Sequence, residues 1–140
     1  MAIPDKYIIA SDLGTSATKT SIIDLNGNVV GTARQSYQVE YPHKGWAEQN
    51  PQDYWNAIKA TTNKIMKQTK ISPRDVSAFT LDAMMLSVIP VDEKGQPLRK
   101  TILWLDTRAT DYVTDYQNKF PLGDLLVKGI IPVASAKDPI

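Results

Sequence analysis

Between Tyr7 and Tyr37 the chain offers three strand-like runs and no helix. Tyr7-Ile8-Ile9-Ala10 is a short apolar run of the length of a buried strand, and Ser11-Asp12-Leu13-Gly14-Thr15-Ser16 follows as a turn of small and polar residues. Thr18 to Asp24 alternates, with Thr20, Ile22 and Asp24 on one face and Ser21 and Ile23 on the other. Asn26-Gly27 then predicts a tight hairpin of type I′, a turn that needs positive φ at both central residues. Val29 to Tyr37 returns as the third strand. A dinucleotide-binding start would place a helix after the first strand, so this order excludes it.

The next stretch changes period. After a polar loop from Gln38 to Gln49, Asn50 reads as an N-cap, Pro51 as the first helical residue and Asp53 as a charge that suits the helix dipole. The helix should run to about Thr69, with Tyr54, Ile58, Thr62, Ile65 and Thr69 as its buried stripe. Ser72-Pro73 ends the connection. Val76 to Leu81 is expected as a strand. Ser87 to Val91 is expected at an edge or a bulge, because Pro90 removes a ladder donor, and Lys94-Gly95 turns the chain after it. Thr101 to Leu105 is expected as a strand and Thr107 to Asn118 as a helix; from Pro121 onward the pattern is weak. The sum is an α/β fold with a mixed sheet that opens with three antiparallel strands.

Composition narrows the classes. The 140 residues suit one domain, and 42% hydrophobic with 22% charged residues is ordinary for a globular chain. A net charge of +1 gives no electrostatic case for nucleic acid or an anionic membrane. No cysteine is present, which excludes disulfides and thiolate metal sites and favours the cytoplasm. The apolar run near the N-terminus is too short for a signal peptide, and nothing approaches the roughly 20 apolar residues of a membrane span.

Three constellations can carry chemistry. In Asp12-Leu13-Gly14-Thr15-Ser16 a carboxylate is followed by a glycine turn with two hydroxyls. Successive N–H groups in such a turn can cradle an anion, Gly14 lets the backbone approach a ligand, and Asp12 could hold Mg²⁺ through water. The alternative is a hairpin turn in which Asp12 and Thr15 bond only the local backbone. Gly45-Trp46-Ala47-Glu48-Gln49-Asn50-Pro51 is either a pocket loop or, as its complete cap chemistry favours, a helix entry with Trp46 as a packing anchor. Ala83-Met84-Met85-Leu86-Ser87 and Trp104-Leu105-Asp106-Thr107-Arg108 each follow an expected strand, where ligands of open α/β sheets gather. Trp104 offers a face to a sugar ring, and Asp106 and Arg108 offer groups to hydroxyls or a carboxylate. The alternative makes the Met pair core filler, Asp106 a helix cap and Arg108 half of a surface pair. His43, the only histidine, sits in a polar loop without a cysteine partner.

Taken in order and spacing, Asp12-Leu13-Gly14-Thr15-Ser16, Gly27, Gly45-Trp46-Ala47-Glu48-Gln49 and Trp104-x-Asp106-x-Arg108 resemble the FGGY carbohydrate kinases, most of all gluconate and xylulose kinases, from Tyr7 to about Pro132. The resemblance implies a ribonuclease-H-like domain of the actin-like ATPase superfamily, incomplete at its C-terminus, with residues 1–140 forming an N-terminal segment of the first of two domains. It implies ATP and Mg²⁺ as cofactors and transfer of the γ-phosphoryl to a hydroxyl of a small-molecule sugar or sugar acid, in carbohydrate metabolism. Asp12, Gly14, Thr15 and Ser16 would face phosphates and metal; Met85, Trp104, Asp106 and Arg108 would lie near the sugar. The catalytic base, an aspartate in this family, and the adenosine site are expected beyond residue 140, so the chain alone is expected to be inactive. Two positions depart from the pattern: gluconate and xylulose kinases usually carry a histidine where this chain has Leu86, and xylulose kinases a glutamine where it has Met84. Ser87 follows the gluconate type. A non-catalytic remnant that binds sugar or nucleotide weakly and an actin-like ATPase without sugar kinase activity are the competing readings. Open edges of an incomplete sheet would favour self-association.

Overall fold

The computed structural model describes residues 6–119. Three strands open the fold: β1 (Tyr7–Leu13), β2 (Ala17–Asp24) and β3 (Val29–Ser36), joined as an antiparallel meander. Next come the two-residue strand β4 (Glu48–Gln49), helix α1 (Pro51–Thr69), a 3₁₀ turn over Pro73–Asp75 and strand β5 (Val76–Ala83). The two-residue strand β6 (Thr101–Ile102) and helix α2 (Thr110–Lys119) complete the described elements. The stretch from Pro121 onward, where the sequence pattern weakens, lies outside the described residues.

The main sheet has the order β3-β2-β1-β5, with β5 parallel to β1. Parallel neighbours need a long crossover, and α1 supplies it. The sheet is therefore mixed, as the sequence implied. β4 and β6 form a separate antiparallel pair to which Val88 adds one bridge, so the segment around Pro90 lies outside the main sheet.

The first hairpin closes differently from the type I′ turn expected. Only Gly27, at φ 86°, has positive φ in that turn, which Asn26 does not share. Gly27 N donates to Asp24 O at 3.1 Å, and the Asp24 carboxylate accepts from the backbone N of Asn26 and of Asn28 at 2.9 and 2.8 Å. Asp92 repeats the device in the second hairpin, accepting from Lys94 N and Gln96 N, with Gly95 at φ 74° donating to Asp92 O. The operative signal is Asp-x-x-Gly: the carboxylate ties down the turn and the glycine takes the left-handed position.

Helix α1 starts where its cap predicts, with the Asn50 side chain accepting from Gln52 N. It ends at Lys70, whose φ of 56° and N–H bond to Met66 O stop it. Its buried residues are Tyr54, Ala57, Ile58, Thr61 and Ile65; Thr62 and Thr69, expected in the stripe, are only half-buried. The helix packs chiefly on β2 and β3. Ile9, Ile22, Ala33 and Ile65 form one core cluster, and Tyr37, Tyr54 and Ala57 with Leu13 and Met84 a second. Fully burying an isoleucine such as Ile22 or Ile65 stabilises the fold by about 1.5–3 kcal/mol. A polar seam lies beside them: Ser11 and Thr20 share a 2.7 Å hydrogen bond, and Thr20 and Thr61 one of 2.6 Å. Among the described residues, no helix is long and apolar enough to cross a membrane.

The strand expected over Thr101 to Leu105 stops at Ile102. Leu103 to Asp106 is a turn, closed by Asp106 N on Leu103 O at 3.0 Å. Trp104 therefore rides a turn rather than a strand.

Candidate active site

β1 alternates. Ile9, Ser11 and Leu13 face α1, which puts Asp12 on the opposite face, where no described helix packs. Asp12 is exposed, and among the described residues its carboxylate makes no hydrogen bond or ion pair. Its register partners are Lys19 on β2 and Asp82 on β5, both exposed and on the same face. An ammonium and a second carboxylate thus flank Asp12, and sequence reading had singled out neither. Nothing local ties them together, because cross-strand register alone makes them neighbours.

The turn after Asp12 is held from below. Gly14 N donates to Ala17 O at 3.1 Å, closing the hairpin. Gly14 does not have positive φ; a Cβ there would meet Ala17 O at 3.3 Å, so the close pairing of the hairpin favours glycine. The Tyr37 hydroxyl donates to Gly14 O, Gln49 Nε2 donates to Thr15 O at 2.7 Å, and Tyr37 N donates to Ser16 O at 3.2 Å. Burial pushes the Tyr37 phenol above its ordinary range, which keeps it protonated and donating.

The Trp104 turn meets this one directly. Trp104 Nε1 donates to Thr15 Oγ1 at 3.0 Å, joining positions 89 residues apart. Asp106 and Arg108 hold each other: Arg108 Nε reaches Asp106 Oδ1 at 2.8 Å and Nη2 reaches Oδ2 at 2.7 Å. Arg108 Nη2 also bonds Glu48 Oε1 at 2.8 Å, and Arg99 bonds the same oxygen at 2.6 Å. The Asp106 and Glu48 side chains are 2% and 8% exposed, so this is a buried ion network, not the surface pair that was the bland alternative. Nor does Asp106 cap α2, which begins at Thr110; it accepts from Arg108 N and from Ala47 N instead. Burial alone would raise the Asp106 carboxyl, but bonds from Arg108 and Ala47 outweigh it and hold the group below its usual range. The Arg108 bond also lowers Glu48, and Asp106 raises Arg108.

The pentapeptide Gly45–Gln49 turns out to join these pieces. Gly45 O accepts from Thr107 N at 2.7 Å, the Trp46 ring carries the Arg108 guanidinium at 3.7 Å, and Ala47 O accepts from Leu103 N at 3.0 Å. Glu48 binds the two arginines, and Gln49 reaches Thr15. Sequence reading treated this stretch as a helix entry, and it is one; it also clamps the Gly14–Ser16 turn and the Trp104 turn together. Gly45 has φ of 78°, and a Cβ would lie 2.7 Å from Thr107 Oγ1. Gly45→Ala should therefore destabilise the chain by about 1–3 kcal/mol in urea unfolding, from left-handed strain and displacement of Thr107. An unchanged midpoint would mean that this loop is not built as described.

Residues 7–134 match the N-terminal domain of the FGGY family of carbohydrate kinases. The chain belongs to that family. A xylulose kinase from Staphylococcus epidermidis is 35% identical over 103 residues, which cover 74% of this chain and 21% of that protein. The crystal structure of gluconate kinase from Lactobacillus acidophilus superposes with a TM-score of 0.77 at 28% identity, covering 88% of this chain and 24% of that one. The xylulose kinase structure from Rhodospirillum rubrum gives 0.79 at 25% identity, over 86% and 25%. The fold is that of the actin-like ATPases, and the chain spans about a quarter of the length of these FGGY relatives. Leu86, at the position where the resemblance expects a histidine, has φ of 65° and is half exposed, beside an exposed Met85. A leucine in that conformation is strained, and such strain concentrates at ligand sites.

Proposed function

We propose that this chain supplies the phosphate- and sugar-facing part of an ATP-dependent carbohydrate kinase of gluconate- or xylulose-kinase type. In this reading it is the N-terminal segment of the first of two domains. The observation that carries it is the Trp104–Thr15 hydrogen bond, which brings the phosphate-turn candidate and the sugar-loop candidate to one end of the sheet. Thr15, Ser16 and the Gly14 backbone contact the phosphates, and Lys19, in register with Asp12, adds positive charge there. The exposed Asp12 carboxylate, with Asp82 in register, suits a hard divalent cation held through water. When bound, Mg²⁺ supplies neutralising charge to the phosphate oxygens. On the sugar side, the half-exposed Trp104 ring and Met85 offer contact surface. Asp106 and Arg108, bound to each other, stand at the end of the Trp104 turn, which Asp106 N closes on Leu103 O, and so lie beside the proposed sugar site. A reaction that draws on ATP suits the cytoplasm.

Alone, the chain should show no sugar-dependent ATP turnover, because the base is expected in the part of the kinase it does not span. Losing such a group costs on the order of 10⁴- to 10⁶-fold in rate. A coupled assay over pentoses, polyols and aldonates tests this, and turnover abolished by Asp12→Ala would refute it. The same panel, run on a protein that continues through the rest of the kinase length, should reveal one stimulating substrate class. Stimulation by none of them would overturn the kinase reading.

A further inference from the structure

The three carbonyls of the Gly14-Thr15-Ser16 turn are all occupied, and all from the α1 side of the sheet. Gly14 O takes the Tyr37 hydroxyl, Thr15 O takes Gln49 Nε2, and Ser16 O takes Tyr37 N. The donors are themselves braced. Gln49 is 1% exposed, and its Oε1 accepts from the Tyr54 hydroxyl at 2.8 Å. The Tyr54 ring meets the Tyr37 ring edge to face at 5.3 Å. Tyr54 sits on α1, so the bracing is anchored in the core.

A trans peptide unit points its N–H opposite to its C=O. Pulling these three carbonyls toward Tyr37 and Gln49 turns the N–H groups of Thr15, Ser16 and Ala17 the other way. Among the described residues, the N–H groups of Thr15 and Ser16 have no partner. Because Tyr37 packs with Tyr54 and Leu13 on the α1 side, the opposite direction is toward the face on which Asp12 and Lys19 pair.

We infer that Tyr37 and Gln49 are positioning residues for a phosphate site: they fix the peptide planes of the turn so that its free N–H groups are presented, already oriented, to a phosphoryl group. The inference rests on the proposed function, since that reading names the ligand. It adds two residues that touch no ligand, and it explains why two polar side chains are buried beneath a surface turn. Preoriented donors need no reorganisation when the anion arrives, which is where their binding advantage arises.

The test uses inorganic phosphate as the probe and two substitutions that keep bulk: Tyr37→Phe and Gln49→Met. Phosphate is titrated into the ¹⁵N-labelled chain, following the amide resonances of Thr15 and Ser16, with thermal melts run alongside. In the unsubstituted protein those two amides should shift with added phosphate. Each variant should bind at least about fivefold more weakly, the equivalent of a ~1 kcal/mol hydrogen bond. Asn26→Asp, on the remote hairpin, serves as the control for general charge and stability effects, and it should leave phosphate affinity unchanged. If the unsubstituted chain shows no shift at Thr15 or Ser16, the phosphate-site reading itself fails. If it binds and both variants bind equally well, whatever their melting temperatures, the positioning role fails and the site survives. Should one variant not fold, the other decides between these outcomes.

Discussion

Arg108→Ala should lower the unfolding free energy by about 3 kcal/mol or more at neutral pH, because it strands the buried Asp106 carboxylate and takes one of two arginines from Glu48. The Asp106 and Glu48 side chains are 2% and 8% exposed, and this one guanidinium pairs with both. Arg99 remains for Glu48, but its side chain is 43% exposed and it does not reach Asp106 among the described contacts. The variant also loses the stacking of the guanidinium on Trp46, worth about 0.5–2 kcal/mol in general. Arg108→Lys should recover only part of the loss, since an ammonium cannot reproduce the planar fork that spans both Asp106 oxygens.

The pH dependence separates this network from simple packing. In the native chain Asp106 and Glu48 are both held below their ordinary values of 3.8 and 4.5. A group depressed by folding stabilises fully above its unfolded value and loses that contribution as pH falls through its folded one. Native stability should thus fall as the pH drops below about 4.5. In Arg108→Ala the Asp106 carboxyl keeps only the backbone bonds from Ala47 N and residue 108 N against the burial that raises it, so it is depressed less and acid costs the variant less. The two proteins should converge in acid. A urea-unfolding deficit of equal size at pH 7 and pH 3.5 would mean that lost packing, not charge, explains the effect.

On the proposed reading, Asp12→Asn in a complete kinase should lower kcat by about 100-fold or more, ~2.7 kcal/mol of transition-state stabilisation, with little change in sugar KM. The carboxylate would position a divalent cation on phosphates whose charge redistributes during transfer, so its effect is larger in the transition state than in the ground state. The rival reading has Asp12 bracing its turn. In the structure that carboxylate bonds none of the described turn residues, and the bracing comes from Tyr37 and Gln49. Asn should therefore be neutral for folding, and melting temperatures should confirm it. Thr15→Val is the companion variant. It removes the acceptor of Trp104 Nε1 together with a hydroxyl proposed to face the phosphates, while keeping the shape, so it should change sugar KM as well as kcat, unlike Asp12→Asn. An unchanged kcat for Asp12→Asn with ordinary Mg²⁺ dependence would remove the metal-site role from Asp12.

The sequence by itself determined the elements whose causes are local. Asn50 and Pro51 start α1 and the period of its apolar residues carries it, since a cap and a helical stripe act over three or four residues. The two hairpins were legible for the same reason. Their Asp-x-x-Gly turns are closed by bonds between residues two to four apart, although the type I′ label attached to Asn26-Gly27 was not what the backbone adopts. The kinship motifs were legible too, as strings. What they do to one another was not. Thr15 meets Trp104 across 89 residues, Ala47 meets Asp106 across 59, and Glu48 meets Arg108 across 60. No period or spacing encodes such pairs; they follow from the register of the sheet and from where α1 lays Tyr54 beneath the turn. The tertiary structure alone therefore decided that Gly45–Gln49 is a clamp as well as a helix entry, that Asp106 and Arg108 are committed to each other, and that Lys19 stands beside Asp12. The physical reason is the same throughout: a buried hydrogen bond or ion pair gains its strength from exclusion of water, and only the packed fold excludes it.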